Sequence, residues 1–184
     1  GNTTQGTFSP YGANWSNYFN TGPILNATSA TACAFGTSDF TVELWVYLAS
    51  YSADQSTPFS SSLDAGTYTS VNINVNTDGT VNNGGRAGTT TSNTVPLNQW
   101  THIAISRSGT TAKIFINGVQ GISYTDSNNY TSNGCNIGVR VVSGNSFGYI
   151  NGYVSNLRVV KGTALYTAAF TPSTAPLPAI TNTT

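Results

Sequence analysis

The chain has 184 residues, a formal net charge of zero and only 7% charged residues, so Ser, Thr and Asn supply most of its polarity. This length suits one well-cored domain. The Lys and Arg residues are too dispersed to form a basic surface for nucleic acid, and no apolar run approaches the ~20 residues of a membrane span. The absence of Met, even at position 1, indicates a processed product or a domain cut from a longer polypeptide.

The first clear strand signal is the segment FTVELWVYL, residues 40–48, in which side chains alternate with period two. One face carries Val42, Leu44, Val46 and Leu48, and the other carries Thr41, Glu43, Trp45 and Tyr47. The pattern predicts a strand with its aliphatic face toward a core.

A second strand is predicted in YTSVNINV, residues 68–75, where the split between the two faces is cleaner. Val71, Ile73 and Val75 are predicted to face the core, whereas Ser70, Asn72 and Asn74 face away with Tyr68 in register. The following Asp78-Gly79 predicts a two-residue hairpin turn.

Later strands are predicted at 101–106, 137–142 and 149–160, and Asn117-Gly118 predicts a hairpin with a type I′ turn. No long stretch keeps a helical period with caps. Short strands joined by Gly- and Asn-rich turns indicate an all-β fold, an antiparallel two-sheet β-sandwich of the jelly-roll type. We expect one sandwich domain over residues 1–172 and an extended Pro/Thr-rich tail over 173–184, lying over the domain or leading into a linker.

The two cysteines, Cys33 and Cys135, lie too far apart in sequence for a CxxC motif. They are compatible with two small buried apolar residues or with one long-range disulfide. The spacing leaves both alternatives open.

Three blocks carry a family resemblance, namely FGTSDFTVELWVYL (35–48), NQWTHIAISRSGTTAKIFINGV (98–119) and FGYINGYVSNLRVVKGTALYTAAFTP (147–172). They resemble the concanavalin A-like lectin/glucanase superfamily, and within it the laminin-G-like jelly rolls of bacterial surface proteins and of phage tail or virion proteins. The blocks occur in the family's order. The opening residues are less similar, because Asn20-Thr21-Gly22 stands where many relatives have Asp-Gly.

The resemblance implies that the last strand returns beside an early strand, where Val154, Leu157 and Val159 would help to close the core. We expect Arg158 to pair with Glu43, since an uncompensated charge between sheets is costly.

The resemblance also raises glycoside hydrolysis, which needs two carboxylates flanking the bond. Glucanases of the superfamily carry them in a Glu-x-Asp-x-x-Glu arrangement, whereas Glu43 is the single Glu of this chain and no Asp lies two residues from it. His102 is the single His, without a Gly-x-Ser-x-Gly elbow, and is interpreted as a hydrogen-bonded strand residue. We therefore expect no enzymatic activity.

Many laminin-G-like and lectin relatives bind Ca²⁺ at the sandwich rim through Asp, Asn and backbone oxygens. The resemblance makes Asp64, Asp126 and Asn128 the candidates for calcium ligands here. Asx residues also stabilise turns without a metal, so no cofactor is certain and calcium is one of two alternatives.

Carbohydrate binding uses aromatic rings and neutral or bidentate polar side chains. In superfamily lectins the polar concave sheet often holds the ligand, which makes Tyr68, Asn72, Asn74 and Arg86 the candidate carbohydrate-binding residues. The alternative is a solvated polar sheet surface without a ligand.

The sequence thus predicts a non-enzymatic adhesion or carbohydrate-binding domain of a larger virion appendage or cell-surface protein, located outside the cell or on a virion. The expected partners are a glycan or host-surface polysaccharide and neighbouring structural subunits, without nucleic acid or membrane. The alternative is a purely structural module that decorates or cements a virion or filament and binds only protein neighbours.

Overall fold

The computed structural model describes residues 3–12, 15–22, 24–27, 31, 33–62, 69–84, 86, 88–131 and 134–178. All the regular structure in these residues is β. The strands are β1 (Thr4–Gly6), β2 (Ser16–Asn20), β3 (Leu25–Asn26), β4 (Phe40–Ser50), β5 (Ser56–Ser60), β6 (Asn72–Val75), β7 (Val81–Asn82), β8 (Trp100–Ser108), β9 (Thr111–Ile116), β10 (Val119–Thr125), β11 (Asn136–Ile137), β12 (Arg140–Val142), β13 (Asn145–Phe147) and β14 (Asn151–Lys161).

The strands form two stacked antiparallel sheets. The larger has the order β1-β2-β14-β4-β8-β9-β10, the smaller has the order β3-β11-β5-β6-β7, and β12 and β13 form a separate hairpin. This arrangement confirms the predicted antiparallel two-sheet β-sandwich. In the part of the chain that the structure describes, no helix is long and apolar enough to cross a membrane.

The core lies between the sheets and follows the predicted alternation. From the larger sheet, Val42, Leu44, Val46 and Leu48 of β4 are fully buried, and so are Ile103 and Ile105 of β8 and Ile114 of β9. From the smaller sheet, Phe59, Val71, Ile73 and Val75 are fully buried against them. Period-two alternation therefore fixed which side chains enter the core.

The last strand, β14, returns beside early strands, as expected. It lies between β2 and β4 and is antiparallel to both. Val154 is buried, whereas Leu157 and Val159 are partly buried and pack against the core. A bulge between Ser155 and Arg158, with Asn156 at φ 50°, shifts the pairing with β4.

Both predicted hairpins are present, but their loops differ. Asn117 and Gly118 have φ angles of 50° and 77°, which confirms the type I′ turn between β9 and β10. Between β6 and β7 only Gly79 has a positive φ, and Asn76 N–H donates to Thr80 O at 2.8 Å. Three residues, 77–79, lie between the hydrogen-bonded Asn76 and Thr80, so the predicted two-residue turn at Asp78-Gly79 was wrong in length.

The predicted strand over 137–142 is interrupted. β11 ends at Ile137 and β12 begins at Arg140, because Gly138 adopts φ 86° where a Cβ would lie 2.4 Å from Phe19 Cδ1. The close approach of the Phe19 ring needs glycine at this position, and the chain bends there into a second strand.

Candidate functional site

The outer face of the larger sheet, opposite the core, carries aromatic residues at paired positions. The register sets Tyr47 opposite Trp100 on β8 and opposite Tyr153 on β14, and it sets Trp45 opposite His102. These residues occupy the alternate positions that the strand pattern left outside the core. The pairing of three strands gathers them into one surface.

Phe8 attaches the N-terminal segment to this surface. Its ring centroid lies 4.9 Å from that of Tyr47, 5.3 Å from Trp100 and 5.0 Å from Tyr153. Edge-to-face and tilted contacts of this kind are favourable between aromatic rings. They hold the residues that follow Phe8 against the sheet.

Glu43, fully buried on β4, is the centre of a charged cluster beside the aromatic surface. Its carboxylate accepts hydrogen bonds from Arg158 Nε at 2.7 Å, Tyr166 OH at 2.8 Å and His102 Nε2 at 3.0 Å. Burial acts to raise the pKa of Glu43, but the hydrogen bonds from His102, Tyr166 and Arg158 and the charge of Arg158 outweigh it and lower this pKa. The Glu43 carboxylate is thus held ionised and engaged.

Residues 163–178, here called the C-terminal strap, cover this cluster. Thr41 Oγ1 donates to Thr163 O at 3.1 Å, Lys113 Nζ donates to Thr167 O at 2.6 Å, and Phe170 N–H donates to Gly118 O at 3.0 Å. Within the described part of the predicted tail, Leu177 N–H donates to Asn156 Oδ1 on β14 at 3.3 Å.

Two rings of the strap form its contact with the sheet. Tyr166 and Phe170 stack at 3.6 Å with an interplanar angle of 6°, and both rings make edge contacts with His102 and Phe115. Burial and the hydrogen bond to Glu43 raise the pKa of Tyr166 to about 12. The strap is thus fixed by ring packing and by the charged cluster together.

A cleft of about 330 Å³ opens between the strap, the N-terminal segment and the outer face of the larger sheet. We call it the aromatic cleft, and it is lined by Pro10, Tyr11, Trp45, Trp100, Asn117, Pro172, Ser173 and Thr174. The Tyr11 and Trp45 rings meet edge to face at 5.9 Å. Every lining residue is uncharged, so the cleft combines aromatic surface with one side-chain amide, from Asn117, and the two aliphatic hydroxyl groups of Ser173 and Thr174.

Of the predicted carbohydrate-binding residues, Asn72, Asn74 and Arg86 are buried, and the first two lie on β6 of the smaller sheet. Asn72 accepts from Ser60 Oγ at 2.6 Å and donates to Ser70 Oγ at 3.2 Å, and Asn74 accepts from Thr57 Oγ1 at 2.9 Å. Tyr68 lies outside the described residues. The structure places these two amides among internal hydrogen-bond partners.

Arg86, the fourth candidate, is buried and binds Ser70, as Asn72 does. Its NH2 group donates to Ser70 O at 2.9 Å, and its NH1 group donates to the Tyr130 hydroxyl. Asn72 and Arg86 therefore lie close together, but the group that both of them bind is Ser70 of the protein itself.

The predicted calcium ligands Asp126 and Asn128 do not fit a calcium site as the structure places them. Asp126 is buried and accepts from Tyr130 OH at 2.5 Å and from Asn128 Nδ2 at 2.7 Å. Arg86 NH1 and Arg107 NH1 lie 3.8 and 3.9 Å from its carboxylate oxygens. Two guanidinium groups thus supply the positive charge that a metal ion would bring.

The third calcium candidate, Asp64, lies outside the described residues. Within the residues that are described, no cluster of three or more His, Cys, Asp or Glu side chains could hold a metal ion.

The stacked antiparallel sheets with a returning last strand define the class of jelly-roll domains. A laminin-G family model described as the concanavalin A-like lectin/glucanases superfamily matches residues 18–168, and the chain belongs to this superfamily. A search of curated protein sequences found no match.

Solved structures of the same fold are distant in sequence. Domain 4 of the arabinanase AbnA from Geobacillus stearothermophilus, solved with arabinotriose, is 18% identical with a TM-score of 0.61 over 89% of this chain and 77% of that one. The SAP-like pentraxin of Limulus polyphemus is 18% identical with a TM-score of 0.57, covering 77% and 73% of the two chains. Mouse laminin α1 domains LG4-5 are 14% identical with a TM-score of 0.59, covering 86% and 44%.

Sequence reasoning missed the aromatic cleft. Its signal was the presence of Trp45 and Tyr47 on the non-core face of β4, but an aromatic residue there is equally compatible with packing under a loop. Only the strand pairing and the path of the strap show that Trp45, Trp100 and Tyr11 share one depression.

Proposed function

We propose that this chain is a carbohydrate-binding domain and that the aromatic cleft holds the sugar. The observation that carries the proposal is the joint lining of one 330 Å³ cleft by Trp45, Trp100 and Tyr11. Aromatic rings bind the C–H faces of sugars, and amide and hydroxyl groups bind their hydroxyls. Asn117, Ser173 and Thr174 supply such groups at the same cleft.

The ligand class follows from the size and charge of the cleft. Its volume is at the lower end of the roughly 300–1,000 Å³ of ligand pockets, which suits a short segment of a glycan. No charged side chain lines it, so a carboxylate of an acidic sugar would lose its hydration without a cation to pair with. We infer a preference for neutral sugars.

The comparisons support the function at the level of the fold. The arabinanase domain was solved with arabinotriose, and a Bacteroides ovatus structure described as a putative carbohydrate binding protein has a TM-score of 0.58 at 16% identity. These proteins use the same architecture, although identity this low carries no site residue over to this chain.

The test is a glycan array followed by titration calorimetry with the best neutral oligosaccharide. Trp100→Ala should weaken binding by roughly tenfold, about 1.4 kcal/mol, because the ring surface offered to the sugar is lost. Trp15→Ala is the matched control, because Trp15 is 57% exposed and lies in a separate depression. If Trp100→Ala and Trp45→Ala are both folded and bind the glycan with unchanged affinity, the aromatic cleft is excluded as the carbohydrate site.

The predicted polar face of the smaller sheet is the second candidate site. Asn72→Ala, Asn74→Ala and Arg86→Ala belong in the same titration, together with Tyr68→Ala. If binding falls in these variants and persists in Trp100→Ala, the carbohydrate site lies on the smaller sheet and its buried amides must become accessible.

We place the domain outside the cell, as part of a larger cell-surface protein or virion appendage. Its low charge gives a surface whose hydrogen bonding depends little on salt. The rival role is a structural module that binds only neighbouring subunits. If no neutral glycan on the array binds, and an assembled particle shows a buried interface above about 1,000 Å², the structural role is favoured.

A further inference from the structure

Two cysteines that are distant in sequence meet inside the sandwich. Cys33 precedes β4 and is 1% exposed, and Cys135 directly precedes β11 and is 8% exposed. Both belong to the same buried cluster, and their side chains interact with each other. A pair of thiols in contact is the arrangement that a disulfide needs.

The pair lies where the smaller sheet has little backbone pairing. β3 and β11 contribute two residues each, and their register aligns Asn136 with Asn26 and Ile137 with Leu25. Ala27 N–H donates to Cys135 O at 2.9 Å and extends this contact by one bond. A covalent link between Cys33 and Cys135 would tie the segment that follows the edge strand β3 to the start of β11.

We propose that Cys33 and Cys135 form a disulfide that ties the segment before β4 to the start of β11. The proposal stands independently of the carbohydrate function. It selects one of the two alternatives that the sequence leaves open, because the fold brings the two side chains into contact.

The chemistry is thiol–disulfide exchange with a small oxidised disulfide such as glutathione disulfide. The thiolate of one cysteine attacks one sulfur of the oxidant, which forms a mixed disulfide and releases one thiolate. The thiolate of the other cysteine then attacks the protein sulfur of the mixed disulfide and releases the second thiolate. The protein loses two electrons and two protons, and the oxidant gains them as two thiols. Both cysteines are buried in the folded chain, so the exchange takes place during folding or when the β3–β11 edge opens.

The experiment refolds the reduced full chain in a buffer of reduced and oxidised glutathione. The product is then denatured and alkylated with iodoacetamide without reduction. We expect an intact mass two hydrogen atoms below that of the reduced chain, no alkyl group, and a linked peptide that contains both cysteines. Cys33→Ser should gain one alkyl group or a bound glutathione. Two alkyl groups on the refolded wild-type chain would overturn the proposal.

A thermal melt gives a second readout. Reduction should lower the melting temperature of the oxidised chain by roughly 5 °C or more, because the closed loop spans about 100 residues and constrains the unfolded state. The double variant Cys33→Ala/Cys135→Ala should melt at the same temperature with and without reductant. A wild-type chain whose melting temperature is also unchanged by reductant would contradict the disulfide.

Discussion

Arg158 Nε donates to Glu43 Oε1 at 2.7 Å, and Arg158 NH2 forms an ion pair with the same oxygen at 2.5 Å. The two residues are cross-strand partners on β14 and β4. This confirms the ion pair predicted from the sequence, and the reason is electrostatic. Glu43 is fully buried, so its charge needs a cation and hydrogen-bond donors around it.

Removal of the cation should destabilise the domain strongly. Arg158→Ala leaves the buried carboxylate of Glu43 without its counter-ion, and we expect a loss of about 3 kcal/mol in the free energy of unfolding. Urea denaturation at neutral pH measures it. Arg140→Ala is the matched control, because its 3.5 Å pair with Asp54 is exposed to solvent and is worth at most about 1 kcal/mol. Equal losses of unfolding free energy in Arg158→Ala and Arg140→Ala would contradict a strongly stabilising role for the buried pair of Glu43 and Arg158.

The stability of the domain should fall in acid through Glu43. The folded-state pKa of Glu43 lies below its ordinary value of 4.5, so its contribution is complete above pH 4.5 and is lost as the pH falls through the folded-state pKa. The stability gap between the wild type and Glu43→Gln should therefore narrow as the pH is lowered from 5. Urea midpoints across this range test the prediction, and a constant gap would refute it.

At alkaline pH, the stability of the domain should fall through the buried Tyr130. Burial and the hydrogen bond to Asp126 raise its pKa to about 12 from an ordinary value of 10.0. Its contribution is complete below pH 10 and is lost as the pH rises toward 12. Tyr130→Phe should lose less stability than the wild type between these pH values, which chemical denaturation can measure. An equally steep loss in the variant would assign the effect to other groups.

The strap should be sensitive to a single methyl group at Gly118. A Cβ there would lie 1.8 Å from Phe170 O, at a position with φ 77°, so Gly118→Ala must displace the strap. Because Pro172, Ser173 and Thr174 line the aromatic cleft, we expect weaker glycan binding as well as lower stability. Denaturation and calorimetry give the two readouts.

Gly109→Ala is the control for backbone strain alone. Gly109 has φ 57° but no atom within 4 Å of an added Cβ. It should cost about 1–2 kcal/mol through its left-handed conformation and leave binding unchanged. If Gly118→Ala behaves the same way, the strap does not shape the cleft.

Local rules predicted much of the fold. The alternation in β4 and β6 fixed the core, and Asn117-Gly118 fixed a turn, because side-chain direction and φ preferences depend on near neighbours only. The break at Gly138 was missed, because it depends on the Phe19 ring, which belongs to another strand. The burial of Asn72 and Asn74 was missed because their hydrogen-bond partners, Ser60 and Thr57, belong to another strand, β5.

The sequence by itself determined a neutral, strand-rich sandwich, the identity of its core residues and the pairing of Glu43 with Arg158, since periodicity and the cost of a buried charge can be read along one chain. Only the tertiary structure decided that Trp45, Trp100 and Tyr11 share a cleft and that Cys33 meets Cys135. Both depend on segments that lie far apart in sequence, and the strand register together with the paths of the connecting segments sets which of their side chains come into contact.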